Sequence, residues 1–211
     1  MFCRSIGFKN LFRLAACILV LGISPCGAQE PDLWQALEGQ TQAHGSFEQE
    51  LYDEKFQLVE RSKGRYSVLR PRYFRWSITD PDRQEIVLRE EQLWHYDVDL
   101  ASATVRPADD GGMFTPLELL GGNAKSLRDR FSVEQIDDQS FRLTPSFPQA
   151  GFASVDVTWA DGEIVGMRIA DRSGQQIVLS LTPDANAAPL APGDFELELP
   201  ADVELHDMLT R

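Results

Sequence analysis

The stretch Leu69-Arg70-Pro71-Arg72-Tyr73-Phe74-Arg75-Trp76-Ser77-Ile78 constrains this chain more than any other. Phe74, Trp76 and Ile78 alternate with Tyr73, Arg75 and Ser77. Successive side chains of an extended strand point to opposite faces, so the stretch reads as a strand with one aromatic face. Pro71 removes a backbone donor and biases Arg70 toward an extended conformation. An arginine is therefore held at the corner through which the aromatic strand is entered. Arg72 and Arg75 read as solvated or as facing a partner.

The same period of two runs through most of the chain. Phe47, Gln49 and Leu51 alternate with Ser46, Glu48 and Glu50, and a second strand covers Val59–Leu69, bent or broken near Gly64. Gln84–Arg89 and Gln92–Tyr96 form a hairpin across Glu90-Glu91, with Ala101–Arg106 pairing next. Strands resume at Phe131–Ile136, Phe141–Pro145, Ala153–Trp159, Ile164–Ala170, Gln175–Leu181 and finally Phe195–Leu199. Asp161-Gly162 is a strong tight-hairpin signal. Helices are few. Asp32 can cap a short one whose Leu33, Ala36 and Leu37 share a face. A second has Thr115 as cap, Pro116 in the first turn, Glu118 completing a capping box and Gly121-Gly122 as its end. Asn123–Arg130 adds a further helical turn. Roughly ten short antiparallel strands with tight turns imply a strongly curved, mostly β sheet or barrel. Its helices have to bury their apolar faces, and the concave side of the sheet is the available place.

Arg4, Lys9 and Arg13 precede the apolar run Leu14–Ser24 and then Pro25-Cys26-Gly27-Ala28. This reads as a secretory signal over residues 1–28, cut after Ala28, followed by a single domain over residues 29–211. Ile23-Ser24-Pro25-Cys26 approaches a lipoprotein signal, but Pro25 stands where a small residue is needed. Cys3, Cys17 and Cys26 all precede the cut, so the mature chain is expected to carry no disulfide. Removing the leader leaves 17 basic residues against 33 acidic ones, a net charge of −16. Such acidity argues against nucleic acid or an anionic membrane surface as partner.

No constellation for catalysis stands out. His44, His95 and His206 have no metal-ligand spacing, and the paired acids fall in predicted turns. Neither a nucleophile elbow nor a phosphate loop is present, and no cofactor is implied. The chain reads as a non-enzyme. What it does contain is apolar surface. Phe47, Phe74, Trp76, Trp94 and Phe131 lie on strands, and Leu33, Leu37, Leu117 and Leu120 on helices. An ordinary core and a ligand pocket use the same residue types, and composition does not separate them.

A set of short motifs in order resembles a known family. These are the Asp32-Leu33…Leu37 helix, Ser46-Phe47-Glu48-Gln49, Arg70-Pro71-x-x-Phe74-x-Trp76, Leu93-Trp94-x-Tyr96-Asp97, Thr115-Pro116 before a Leu-rich helix, and Phe195 and Pro200 near the end. Together they resemble the outer-membrane lipoprotein carrier family, LolA. The resemblance implies an unclosed β-barrel with helices as a lid over a concave apolar face. It implies a soluble, monomeric periplasmic carrier for the acyl chains of lipoproteins, fed by an inner-membrane ABC transporter (LolCDE) and emptied by an outer-membrane receptor (LolB). The expected acyl-binding face is Leu33, Phe47, Phe74, Trp76, Ile78, Trp94, Leu117 and Phe131. Arg70 matches the family's latch arginine, with acceptor carbonyls expected near Leu37, Leu120 and Gly121. The same-fold alternatives are a lipid-anchored receptor, with Phe147 or Phe152 as a membrane-inserting residue, and a periplasmic lipid- or lipoprotein-sensing module.

Overall fold

The computed structural model describes residues 33–108, 117–121, 124–147 and 150–209. The proposed signal, Cys26, the Asp109–Gly112 loop and the Thr115-Pro116 helix start lie outside the described residues. The elements in chain order are α1 (Leu33–Gly39), β1 (Gln42–Tyr52), β2 (Leu58–Leu69), β3 (Tyr73–Asp80), β4 (Gln84–Arg89), β5 (Gln92–Asp97) and β6 (Ser102–Pro107). Then come α2 (Leu117–Gly121), α3 (Ala124–Arg130), β7 (Phe131–Gln135), β8 (Ser140–Pro145), β9 (Ser154–Ala160), β10 (Glu163–Ala170) and β11 (Gln176–Pro183). A 3-10 turn at Pro192–Phe195 precedes β12 (Glu204–Asp207).

All twelve strands belong to one sheet, ordered β12-β6-β5-β4-β3-β2-β1-β11-β10-β9-β8-β7. Its two ends, β12 and β7, are not paired with each other among the described residues, so the curved sheet forms an unclosed barrel. Neighbours from β6 through β1 to β7 are antiparallel and joined mostly by tight turns. Asp161 and Gly162 both take positive φ, 52° and 83°, as a two-residue hairpin turn between β9 and β10 requires.

The sheet departs from the sequence-based expectation at its C-terminal edge. The twelfth strand is Glu204–Asp207, not Phe195–Leu199, and it runs parallel to β6, pairing Leu205 with Ala103 and Asp207 with Val105. Pro192 and Gly193 favour the 3-10 turn, and Phe195 at its end is wholly buried, which takes this segment out of the ladder. Of the bend or break expected in β2 near Gly64, the break is absent. The strand is continuous, and the irregularity is a shift of register against β3 between Lys63 and Gly64.

Gly64 has a specific reason to be glycine. Phe47 of β1 stands directly opposite it. A Cβ built on Gly64 would lie 2.8 Å from the Phe47 ring and closer still to the Ser77 carbonyl oxygen of β3. The missing side chain is what lets the Phe47 ring lie across β2 toward β3. Gly64→Ala is expected to cost about 1–3 kcal/mol, because overpacking displaces a buried ring or a paired strand. Urea unfolding measures this, and an unchanged midpoint would show that the Phe47 ring does not depend on the gap.

Candidate functional site

The concave face is built from alternate residues of nearly every strand. Phe47 on β1, Tyr66 and Val68 on β2, and Phe74 and Trp76 on β3 are all buried. The Phe47 and Trp76 rings stack with centroids 3.6 Å apart and planes 18° apart, over the gap left by Gly64. Phe74 stacks on Trp76 at 6.0 Å, and Tyr66 approaches it at 6.3 Å. Burial pushes the Tyr66 phenol up to about 12, so it stays neutral. Around the other half, Leu181, Leu179, Met167, Ile169, Val155, Val157, Phe141 and Leu143 continue the same face to Phe131 at the start of β7. Phe131 packs against Phe152 at 6.1 Å and edge-on to Phe147 at 6.0 Å.

The helices roof this face. Leu33, Trp34 and Leu37 of α1, Leu119 and Leu120 of α2, and Leu127 of α3 join the same buried cluster. Helix α1 packs on α3, and α2 lies on β2 and β3. At the end of α2 the backbone comes so near the sheet that a Cβ on Gly121 would sit 3.1 Å from the Phe74 Cβ. The helices have 7, 5 and 7 residues, well below the roughly 12–15 residues that an isolated helix needs to be even marginally stable. They hold their shape by resting on the sheet.

Arg70 stands where β2 ends, beside this roof. Its backbone N–H donates to the Thr41 carbonyl at 2.8 Å, and its Nη2 donates to the Leu119 carbonyl of α2 at 3.4 Å. Burial pushes its guanidinium down to about 10. The group is still charged at neutral pH, so keeping it in this half-buried place costs roughly 3 kcal/mol.

A family model described as outer membrane lipoprotein carrier protein LolA matches residues 38–198. The chain belongs to the LolA family. Outer-membrane lipoprotein carrier proteins are among its similar relatives. That of Alkalilimnicola ehrlichii is 32% identical over 196 residues, covering 91% of this chain and 92% of the relative. That of Chromohalobacter salexigens is 28% identical over 172 residues, covering 80% and 82%. That of Halorhodospira halophila is 29% identical over 196 residues, covering 92% of each.

In this LolA-family chain, Leu33, Leu37, Phe47, Phe74, Trp76, Leu120 and Phe131 fall into one buried cluster, with Ile78 half-buried at its margin. Leu117 belongs to α2, but its side chain lies outside the described residues. Trp94 is elsewhere. It pairs with Val87 and Val105, and Val87 pairs with Arg75, so all of these point away from Phe74 and Trp76 to the convex face. That face has a small core of its own, because the chain after β11 returns across it. Phe195 packs on Tyr73 at 5.5 Å. Arg75, expected to be solvated, donates to the Glu196 carbonyl at 2.7 Å and pairs with Glu85 at 3.3 Å. Arg89 reaches the Glu196 carboxylate at 3.1 Å. Arg72 pairs with Glu91 at 3.0 Å on the surface.

Several members of the concave cluster were not singled out from the sequence. Trp34 is one; Leu33 and Leu37 suggested the helix face, and Trp34 flanks it at the spacing i, i+3 from Leu37. Leu119 is another; its carbonyl accepts from Arg70, one residue before the Leu120 and Gly121 expected as acceptors. Neither Phe147 nor Phe152 projects into solvent: Phe152 is buried and Phe147 packs against the cluster.

The Arg70 shift gives a signed pH dependence. Burial holds the folded Arg70 guanidinium at about 10, below its value in the unfolded chain, so above about 10 the unfolded chain keeps the proton more readily and folding gains stability as pH rises. The stability difference between the protein and Arg70→Leu should be flat from about pH 6 to about pH 9 and shift in favour of arginine above about pH 10. Urea titrations of both forms across pH read it, and a slope at neutral pH would contradict the assignment.

Proposed function

We propose that this protein carries acylated lipoproteins through the periplasm as a soluble monomer. It would receive them from an inner-membrane ABC transporter and pass them to an outer-membrane receptor. The observation that carries this reading is the continuous apolar concave face roofed by three short helices, in a chain of the LolA family. A buried methylene is worth about 0.8 kcal/mol, so an acyl anchor of some sixteen carbons meets a cost of about 12 kcal/mol in water unless it is sheltered. Leu33, Leu37, Leu119, Leu120 and Leu127 occupy the face in this structure, and an entering chain would exchange with them, apolar for apolar. The net affinity is then moderate, which a carrier that must release its cargo requires. Arg70 acts at the balance point, holding α2 through the Leu119 carbonyl when the roof is closed and regaining water when it lifts.

Among the described residues, one feature bears on the alternative of a lipid-anchored receptor, the β1–β2 hairpin. Phe56, at its tip, is 66% exposed, with Leu58 and Val59 beside it also exposed. Asp53 and Glu54 share that tip and would be repelled by an anionic leaflet, and the relatives are named as carriers, so the carrier reading is the better supported.

Depleting the protein is expected to trap outer-membrane lipoproteins at the inner membrane; an unchanged distribution in fractionated membranes would overturn the reading. The mass of the mature chain separates a start at Gln29 from an acylated Cys26. Arg70→Leu is expected to accept lipoprotein and to transfer it about tenfold more slowly or worse, since a charge-assisted hydrogen bond that competes with cargo is gone. Transfer at the normal rate would remove Arg70 from the mechanism.

A further inference from the structure

Among the described residues, Ser62 is the fully buried polar side chain that no helix contact explains. Ser62 is 3% exposed, and its hydroxyl has no hydrogen-bond partner. It lies on the face of β2 that carries Gly64, Tyr66 and Val68. Directly opposite on β1 is Gln49, whose amide makes no hydrogen bond among the described residues. Gln49 in turn faces Leu179 on β11, and Leu179 faces Met167 on β10. Two adjacent polar side chains thus sit at the edge of the apolar wall, with Phe47 and Gly64 on one side and the exposed Glu60 at the rim on the other, about 26 Å along β2 from the Arg70 corner.

A hydroxyl shut away from water without an acceptor loses its hydration and gains nothing in return. What would complement it is a ligand that is apolar nearly throughout and brings in a single strong acceptor. An acylated ligand has that form, a long hydrocarbon chain ending in the carbonyl of an ester or an amide. Both Ser62 and Gln49 can donate to such an oxygen.

We propose that Ser62 and Gln49 form a carbonyl-binding subsite in the concave face, which takes the ester or amide carbonyl of an acyl chain. The proposal rests on the acyl-carrier reading above. It adds a fixed depth to cargo binding: chains would be seated by their linkage and not by hydrophobicity alone. Because the linkage is the acceptor, matched ligands that lack it should bind more weakly.

The test uses three probes of equal chain length, with the mature protein. They are 1-palmitoylglycerol (ester), N-palmitoylglycine (amide) and 1-O-hexadecylglycerol (ether, no carbonyl). Affinities are read by displacement of a fluorescent fatty-acid analogue. The protein should bind the ester, the amide or both about 3- to 10-fold more tightly than the ether. A preference for the ester points to a glyceryl linkage, and one for the amide to an N-acyl linkage. Ser62→Ala should abolish the preference without changing ether affinity or lowering the thermal midpoint, and Gln49→Leu should reduce it. Binding of all three probes with equal affinity would overturn the subsite and leave the carrier reading standing. Failure of all three to bind would overturn both. Equal weakening of all three by Ser62→Ala would assign Ser62 to packing and overturn the proposal.

Discussion

A curved sheet that does not close leaves an apolar concave face that water will not tolerate, and helices this short do not persist in water alone. Each solves the other's problem. The sheet supplies the surface on which α1, α2 and α3 become stable, and the helices supply the leucines that cover the sheet. Short helices that persist only through contact with the sheet make that contact a natural place for the fold to open. The rest of the arrangement follows from that dependence. Gly64 lets Phe47 stack on Trp76 and flatten the wall. Gly121 lets α2 come down onto Phe74, and Arg70 ties α2 to the end of β2.

The two faces of the sheet have different tasks. The convex face between β3 and β6 is sealed by the chain's own tail. Phe195 is buried there, Glu196 is held by Arg75 and Arg89, and β12 then adds a parallel strand to the β6 edge. That side is fixed by polar contacts and a wholly buried aromatic ring. The concave side is covered by apolar contact, and the Arg70 bond to α2 comes with a desolvation cost of its own. Firm attachment on one side and loose cover on the other suits a molecule whose cover has to move while its sheet does not.

Much of this was legible in the sequence because alternation is a local property. Phe74, Trp76 and Ile78 show their common face within a few residues, and Asp161-Gly162 shows its turn within two. The resemblance to a family placed Arg70 near the helical roof. What was not legible depends on partners distant in sequence. Alternation says that Leu93 and Trp94 point in opposite directions, but which direction is concave depends on the register of β5 against β4. The resemblance puts Trp94 on the cavity wall; nothing local reveals that the tail buries the convex face as well. That the Leu119 carbonyl accepts from Arg70 depends on how α2 rests on the sheet, which nothing local in the sequence shows. Ser62 reads as an ordinary polar residue until the pairing of β1 and β2 shows that it faces inward.

The central claim is that the helical roof and an acyl chain compete for one surface. Locking the roof tests it. Gly121 and Phe74 approach so closely that cysteines at both would have Cβ atoms near 3.1 Å, a few tenths of an ångström short of the distance a disulfide spans, which a small shift of α2 supplies. The mature chain, after the proposed cut, has no other cysteine. Binding of a palmitoyl probe to the Phe74→Cys, Gly121→Cys protein would be measured oxidised and then reduced. The account predicts no binding while the disulfide is closed and recovery on reduction. Equal binding in both states would show that acyl chains do not need the roof to lift, and would contradict it.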